Sequence, residues 1–147
     1  MPEFPAALRL SFEPAPSPDI RRVLGEAIDA FNAQTVPQEV QRFALLLHEH
    51  ERLVAGLIGV LAWQWLYVTS LWVDDAWRGR GVGRALLTRA EAYAAAAGYH
   101  SAWLDTFQAR GFYAALGYRE FGALEDYPPG QTRYFMRKRL DQNSPLR

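Results

Sequence analysis

The first helical signal lies at residues 20–33, where Val23, Leu24, Ala27, Ile28 and Phe31 fall on one face of a helical period. Asp19 is placed to cap it, because a carboxylate can accept the free N–H groups of a first turn. Residues 1–19 hold five prolines and read as an extended lead-in with a short strand around 8–12. Residues 43–47 read as a strand, and 48–52 as a polar turn. From Leu53 to Val73 there are 21 residues without a charge, long enough to span a bilayer. Yet Gly56, Gly59, Gln64, Thr69 and Ser70 interrupt that run, and valine, tryptophan and tyrosine enrich it. Two successive strands, buried on both faces and divided near 63–65, give the same pattern. No Gly, Pro or Asn marks the dividing turn.

Residues 84–97 carry the clearest helix pattern, alanine-rich with Leu86, Leu87, Ala90 and Ala94 on one side and Gly98 as a left-handed cap. A strand at 102–105 and a helix at 108–116, closed by Gly117, come next. Strands at 118–121 and 134–138 bracket a loop with Pro128, Pro129 and Gly130, and 140–147 read as a tail. The order helix, strands, helix, strand, helix, strands predicts α/β packing in three layers, as a single domain over 1–147.

Composition narrows the function classes. Half of the 147 residues are hydrophobic and 14% are aromatic, which is the make-up of a packed globular protein. The 16 basic and 16 acidic side chains cancel, so the basic excess of a nucleic-acid binder is missing and no nucleic-acid partner is expected. Absence of cysteine removes disulfides, thiolate zinc sites and a cysteine acyl-enzyme together. No signal-peptide pattern opens the chain, so a cytoplasmic location without a membrane partner is the default expectation.

The chemistry concentrates at 77–84, which reads Trp-Arg-Gly-Arg-Gly-Val-Gly-Arg between an apolar run and a helix. Gly79, Gly81 and Gly83 allow a tight turn and close approach of a ligand. Arg78, Arg80 and Arg84 add positive charge, and the helix adds unpaired N–H groups and the positive end of its dipole. Such a junction suits phosphate. A dinucleotide fingerprint counted from Gly79 would place its third glycine at Arg84, and no Gly-Lys-Ser/Thr ending exists for a P-loop. An ordinary strand-to-helix turn with solvated arginines is the competing reading.

What fits is Arg-x-x-Gly-x-Gly, with Arg78, Gly81 and Gly83 at the fixed places. This resembles the acyl-CoA pyrophosphate loop of the GNAT acetyltransferase superfamily. A second stretch, Ala109-Arg110-Gly111-Phe112-Tyr113-Ala114-Ala115-Leu116-Gly117-Tyr118, is similar to that family's Ala-x-x-Phe-Tyr-x-x-x-Gly-Phe/Tyr signature and comes in the required order. The resemblance covers about 43–138, and the run Leu104-Asp105-Thr106-Phe107-Gln108-Ala109 is similar to a bacterial subgroup of unassigned substrate. It implies a mixed, mostly antiparallel sheet flanked by helices, acetyl-CoA as acetyl-donor cosubstrate and no metal.

Residue by residue, the resemblance implies cofactor contacts from the loop residues Arg78, Gly79, Arg80, Gly81, Val82, Gly83 and Arg84. It implies a backbone N–H donor to the developing oxyanion around Leu71, Trp72 and Val73, where splaying from the next strand would free main-chain groups for pantetheine. Tyr113 matches the tyrosine that protonates the departing sulfur; the competing reading is a core aromatic, as is expected of Phe112 beside it. Two departures stand out. Thr106 occupies the place of a frequent asparagine that touches pantetheine, and the strand at 66–73 lacks the carboxylate that serves as general base in several members.

An alkylammonium must lose a proton before it can attack a thioester. Asp105, at a strand end, is the carboxylate candidate for that step, with helix capping as its rival role and a water relay as a substitute. Asp74 and Asp75 read as turn residues. His48 and His50, two apart on a strand face, lack a third metal ligand and read as solvated or packed. Trp63, Trp65 and Tyr67 share parity, with Trp72 nearby; they read as core, or as the wall of an acceptor pocket. Glu125 and Asp126 read as a solvated loop that could also attract a cation. The leading expectation is acetyl transfer to a small-molecule amine by direct attack in a ternary complex. Acetylation of a protein N-terminus or lysine, and a non-catalytic acyl-CoA sensor, are the alternatives. A homodimer is kept as a candidate assembly.

Overall fold

The computed structural model describes residues 1–140, so the expected tail lies outside the described residues but for Leu140. The chain divides into a compact unit at 1–38 and a second beginning at Glu39.

In the first unit a turn closes from the Leu8 N–H to the Pro5 carbonyl, at 2.9 Å. The strand expected at 8–12 does not form: the unit offers no second strand to pair with, and an isolated extended segment satisfies none of its backbone groups. Helix α1 (Pro18–Ala33) starts two residues earlier than Asp19 could cap. Ser17 is the cap instead, its hydroxyl accepting the Ile20 N–H at 3.2 Å, and Pro18 fills the first helical position, where a missing N–H is harmless. Asp19 joins the first turn and pairs with Arg22 at 2.7 Å.

The second unit holds β1 (Gln41–Glu49), β2 (Arg52–Ala62), β3 (Trp65–Val73), α2 (Val82–Ala96), β4 (Ser101–Thr106), α3 (Arg110–Ala115), β5 (Arg119–Glu125) and β6 (Thr132–Arg139), with a 3₁₀ turn at Asp75–Trp77. They make one six-stranded sheet in the order β1-β2-β3-β4-β6-β5. Only the β3–β4 pair is parallel. This is the mixed, mostly antiparallel sheet with flanking helices that was expected. The core packs Leu86, Leu87, Ala90 and Ala94 of α2 onto Leu57, Leu61, Leu66, Val68, Ala102, Leu104 and Met136 of the sheet.

The uncharged run at 53–73 is the β2–β3 hairpin. No helix among the described residues is long and apolar enough to cross a membrane. Its turn consists of Trp63 and Gln64, both at positive φ (46° and 71°). A two-residue hairpin turn of the type that matches strand twist needs this conformation at both positions, usually from Asn-Gly. Neither residue is of that kind, which is why no turn residue announced it. Replacing Trp63-Gln64 with Asn-Gly is expected to raise the unfolding free energy by about 1–2 kcal/mol, because the left-handed conformation then costs little. Urea denaturation would measure it; an unchanged midpoint would mean that the Trp63 ring compensates.

Trp63 therefore leaves the face that Trp65 and Tyr67 share. His50 likewise sits in the β1–β2 turn at φ 55°, not on the strand face beside His48. Further along, β3 changes parity. Ile58 of β2 pairs with Ser70 but Gly59 pairs with Val68, so Thr69 is one residue too many and forms a bulge. Leu66 and Val68 point into the core before it, and Leu71 and Val73 pack against the core after it.

Candidate active site

The bulge positions the site. β3 pairs with β4 only through Trp65–Ser101, Leu66–Ala102 and Tyr67–Trp103, and the two strands then part. Bulges bend and twist the strand that carries them, and this one directly follows the last pair. Backbone groups of β3 beyond Tyr67 on that side have no strand partner among the described residues. A cleft of about 530 Å³ opens here, walled on one side by Leu71, Trp72 and Val73.

Its floor is the glycine loop. Trp77, Arg78, Gly79, Gly81, Val82, Gly83 and Arg84 line it. α2 begins at Val82, two residues earlier than expected, with Gly81 (φ 78°) as an N-cap that has no side-chain cap. The first intrahelical bond runs from the Ala85 N–H to the Gly81 carbonyl at 3.0 Å, so the amides of Val82, Gly83 and Arg84 lie ahead of the ladder. A Cβ on Gly79 or Gly81 would meet no protein atom within 4 Å. The space above these glycines is open, and a pyrophosphate fits the donors, the charge and the room. Arg78 is braced by its Nε donating to the Val73 carbonyl at 3.0 Å and by Asp75 at 2.8 Å. Asp74 caps the 3₁₀ turn, as a turn residue should.

Helix α3 forms the far wall through Ala109, Phe112 and Tyr113, with Gln108 before it. The two aromatics invert expectation. Phe112 is 37% exposed and borders the cleft, whereas Tyr113 is 8% exposed and packs edge-on to Phe112 and Tyr118. Burial, and then the negative charge of Asp105, push the Tyr113 phenol above its ordinary value of 10.0. It therefore stays neutral and protonated throughout the physiological range.

Ten of the twelve residues anticipated at the site line this cleft; Arg80 and Thr106 do not. Arg80 stacks its guanidinium on the Trp77 ring at 4.9 Å, and Trp77 in turn donates its indole N–H to Glu49 at 3.2 Å. Thr106 accepts the Ala109 N–H at 3.1 Å in the turn ahead of α3, whose N-cap, Ala109, has no side-chain cap, so the capping role weighed for Asp105 is not taken by it. Asp105 is instead held by Arg133 at 2.8 Å and by the Tyr67 hydroxyl at 3.1 Å. Asp126 pins its own loop through the Gly130 N–H at 3.2 Å. Trp77, Gln108, Ala109 and Phe112 were missed, although Trp77 and Gln108 adjoin the two motifs and Ala109 and Phe112 belong to the second. Arg133 was missed because nothing near it in sequence marks it. No group of three or more potential ligands for a metal occurs among the described residues.

Comparison with known proteins matches residues 6–118 to the model of the acetyltransferase (GNAT) family. Blasticidin-S acetyltransferase of Streptomyces morookaense is 45% identical over 95 residues, covering 63% of this chain and 70% of that one. Acetyltransferase Atu2258 of Agrobacterium fabrum is 34% identical over 95 residues, covering 63% and 69%. Among solved structures, an acetyltransferase from Bacillus cereus superposes with a TM-score of 0.78 at 29% identity, over 88% of this chain and 98% of that one. Two motifs in order, a sheet that parts beside a glycine-capped helix, and these relatives have one explanation: the chain belongs to the GNAT acetyltransferase family.

Proposed function

We propose that this protein moves an acetyl group from acetyl-CoA to a primary amine of a small molecule, by direct attack in a ternary complex. The observation that carries this reading is the single cleft in which the glycine loop, the unpaired edge of β3 and the Tyr113 side chain meet. The kinship to an enzyme named for blasticidin S supports a small-molecule acceptor over a protein one.

Acetyl-CoA, when bound, supplies an activated thioester. The amides of Val82, Gly83 and Arg84, with Arg78 and Arg84 beside them, hold the pyrophosphate. Main-chain groups of β3 past Tyr67 receive the extended arm, and an amide among Leu71, Trp72 and Val73 polarises the carbonyl oxygen. The amine nitrogen forms the new C–N bond as the C–S bond breaks. Its proton leaves to water. Tyr113 Oη gives its proton to the departing thiolate and regains one from solvent.

Thiol release from acetyl-CoA across a panel tests this: blasticidin S, polyamines, amino acids, aminoglycosides and peptides. Turnover of at least one small amine is expected. Turnover of peptides alone would replace it with protein acetylation, and binding of acetyl-CoA without any turnover would make the chain a sensor. No acetyl-enzyme should form, because the chain has no cysteine and Tyr113 is held protonated. Intact mass after incubation with acetyl-CoA alone should therefore show no stoichiometric gain of one acetyl group; a kinetically competent adduct would sink the ternary mechanism.

A further inference from the structure

Across the sheet from α2 lies a polar cluster that the donor cleft does not use. Side chains alternate along a strand, so when Ala102 and Leu104 of β4 enter the core, Trp103 and Asp105 face the other way. Tyr67 of β3 lies flat on Trp103, with ring centres 3.9 Å apart and planes within 9°. Opposite, on β6, Arg133 pairs with Asp105 and sets its guanidinium against two rings, 4.3 Å from Tyr127 and 5.3 Å from Phe107. Arg133 Nε is the buried side-chain polar atom left without a partner among the described residues.

A guanidinium offers its N–H donors as a rigid planar fork, and Asp105 engages only one nitrogen of it. Aromatic rings grip the faces of the cation but accept nothing in its plane, so the fork remains short of acceptors. Natural proteins rarely leave a buried donor unpaired away from a functional site. Such a fork is matched by a planar anion that can take two N–H bonds side by side, that is, a carboxylate. The neighbouring Asp105 carboxylate is the natural partner of an ammonium group. Asp105 accepts the Tyr67 hydroxyl at 3.1 Å and lies on β4 two residues past Trp103, the last residue paired with β3, so it stands where the two strands part.

We propose that this cluster is the acceptor subsite, and that Arg133 selects amines carrying a carboxylate, which it binds while Asp105 draws in the amine end. The proposal rests on the acetyltransferase reading and names its substrate class. A zwitterionic acceptor satisfies the pair with the opposite charges at its two ends. A polyamine would leave Arg133 unsatisfied and bring a second cation beside it.

The test uses matched primary amines that differ only in a carboxylate or its neutral carboxamide, such as α- and β-amino acids and their amides. With acetyl-CoA saturating, the carboxylate member is expected to show a kcat/KM at least about tenfold higher, carried mainly by KM. Arg133→Gln should erase that preference while leaving the acetyl-CoA-induced rise in melting temperature in place. Arg133→Lys, which keeps a cation beside Asp105 and so guards against loss of fold in the glutamine variant, should also lose most of the preference because an ammonium has no planar fork. Calorimetric titration of the same acceptors into CoA-saturated protein provides a readout independent of turnover. A preference for carboxamides, or one that survives both variants, overturns the subsite. Arg133-dependent binding of carboxylates with no transfer would keep the subsite and discard the acetyltransferase reading; neither binding nor transfer would discard both.

Discussion

Gly81→Val is expected to abolish the rise in melting temperature that acetyl-CoA gives the native protein. A ligand at about a hundred times its Kd stabilises by ~2.7 kcal/mol, which in a chain of this size corresponds to roughly 5–10 °C. Gly81 caps α2 at φ 78°, beside the amides proposed to receive the pyrophosphate, and no protein atom fills the space its Cβ would enter. A valine there projects into the volume that the phosphates need. It also forces a branched residue into a left-handed conformation, at a cost of about 1–2 kcal/mol to the unliganded protein. Gly98→Val separates the two effects. Gly98 has φ 91° and equally open surroundings, but it closes the far end of α2. That variant should lose similar stability and keep the full response to acetyl-CoA. A response that persists in Gly81→Val would remove the pyrophosphate from this loop.

Tyr113→Phe should lower kcat by roughly 10²–10⁴, the range for loss of a general acid, while acetyl-CoA affinity changes far less. The ring stays, so the edge contacts to Phe112 and Tyr118 persist and stability should be nearly unchanged. The direction of the pKa shift adds a pH signature. Burial and the Asp105 charge raise the Tyr113 phenol above 10.0, so the donor proton is retained as pH climbs through 9 to 10. In wild-type protein kcat should accordingly rise with deprotonation of the acceptor amine and show no descending limb below the ordinary phenol value. Unchanged turnover combined with a fall in melting temperature would assign Tyr113 a purely structural role.

Much of this was legible along the chain because it depends on local signals. Alanine-rich helix α2 and its terminal glycine, the alternating strands, and the two motifs bracketing them are patterns of neighbours, and they fell where expected. The α2 start at Val82 came out two residues late because Gly83, a poor helix former, sits in the first turn, where capping and ligand access outweigh propensity. The turn at Trp63 and Gln64 was hidden because neither residue prefers positive φ; tertiary pairing of β2 with β3 imposes it. The bulge at Thr69 did leave a trace. The inward residues run Leu66, Val68, then Leu71, Val73, a change of parity that a strict two-residue alternation cannot make. The Asp105–Arg133 pair left none, since its members are 28 residues apart and meet only through the β4–β6 register.

The short contact between β3 and β4 leaves two bare strand edges inside a six-stranded sheet. At the outer margin of a sheet such an edge recruits other molecules, and proteins commonly defend it with charges, prolines or covering loops. Here each bare edge faces the other from within the same sheet, so a second sheet cannot dock on either, and only one slender extended chain can lie along both. The protein thus keeps at its centre, and not at its margin, the kind of strand edge that pairs with an extended chain.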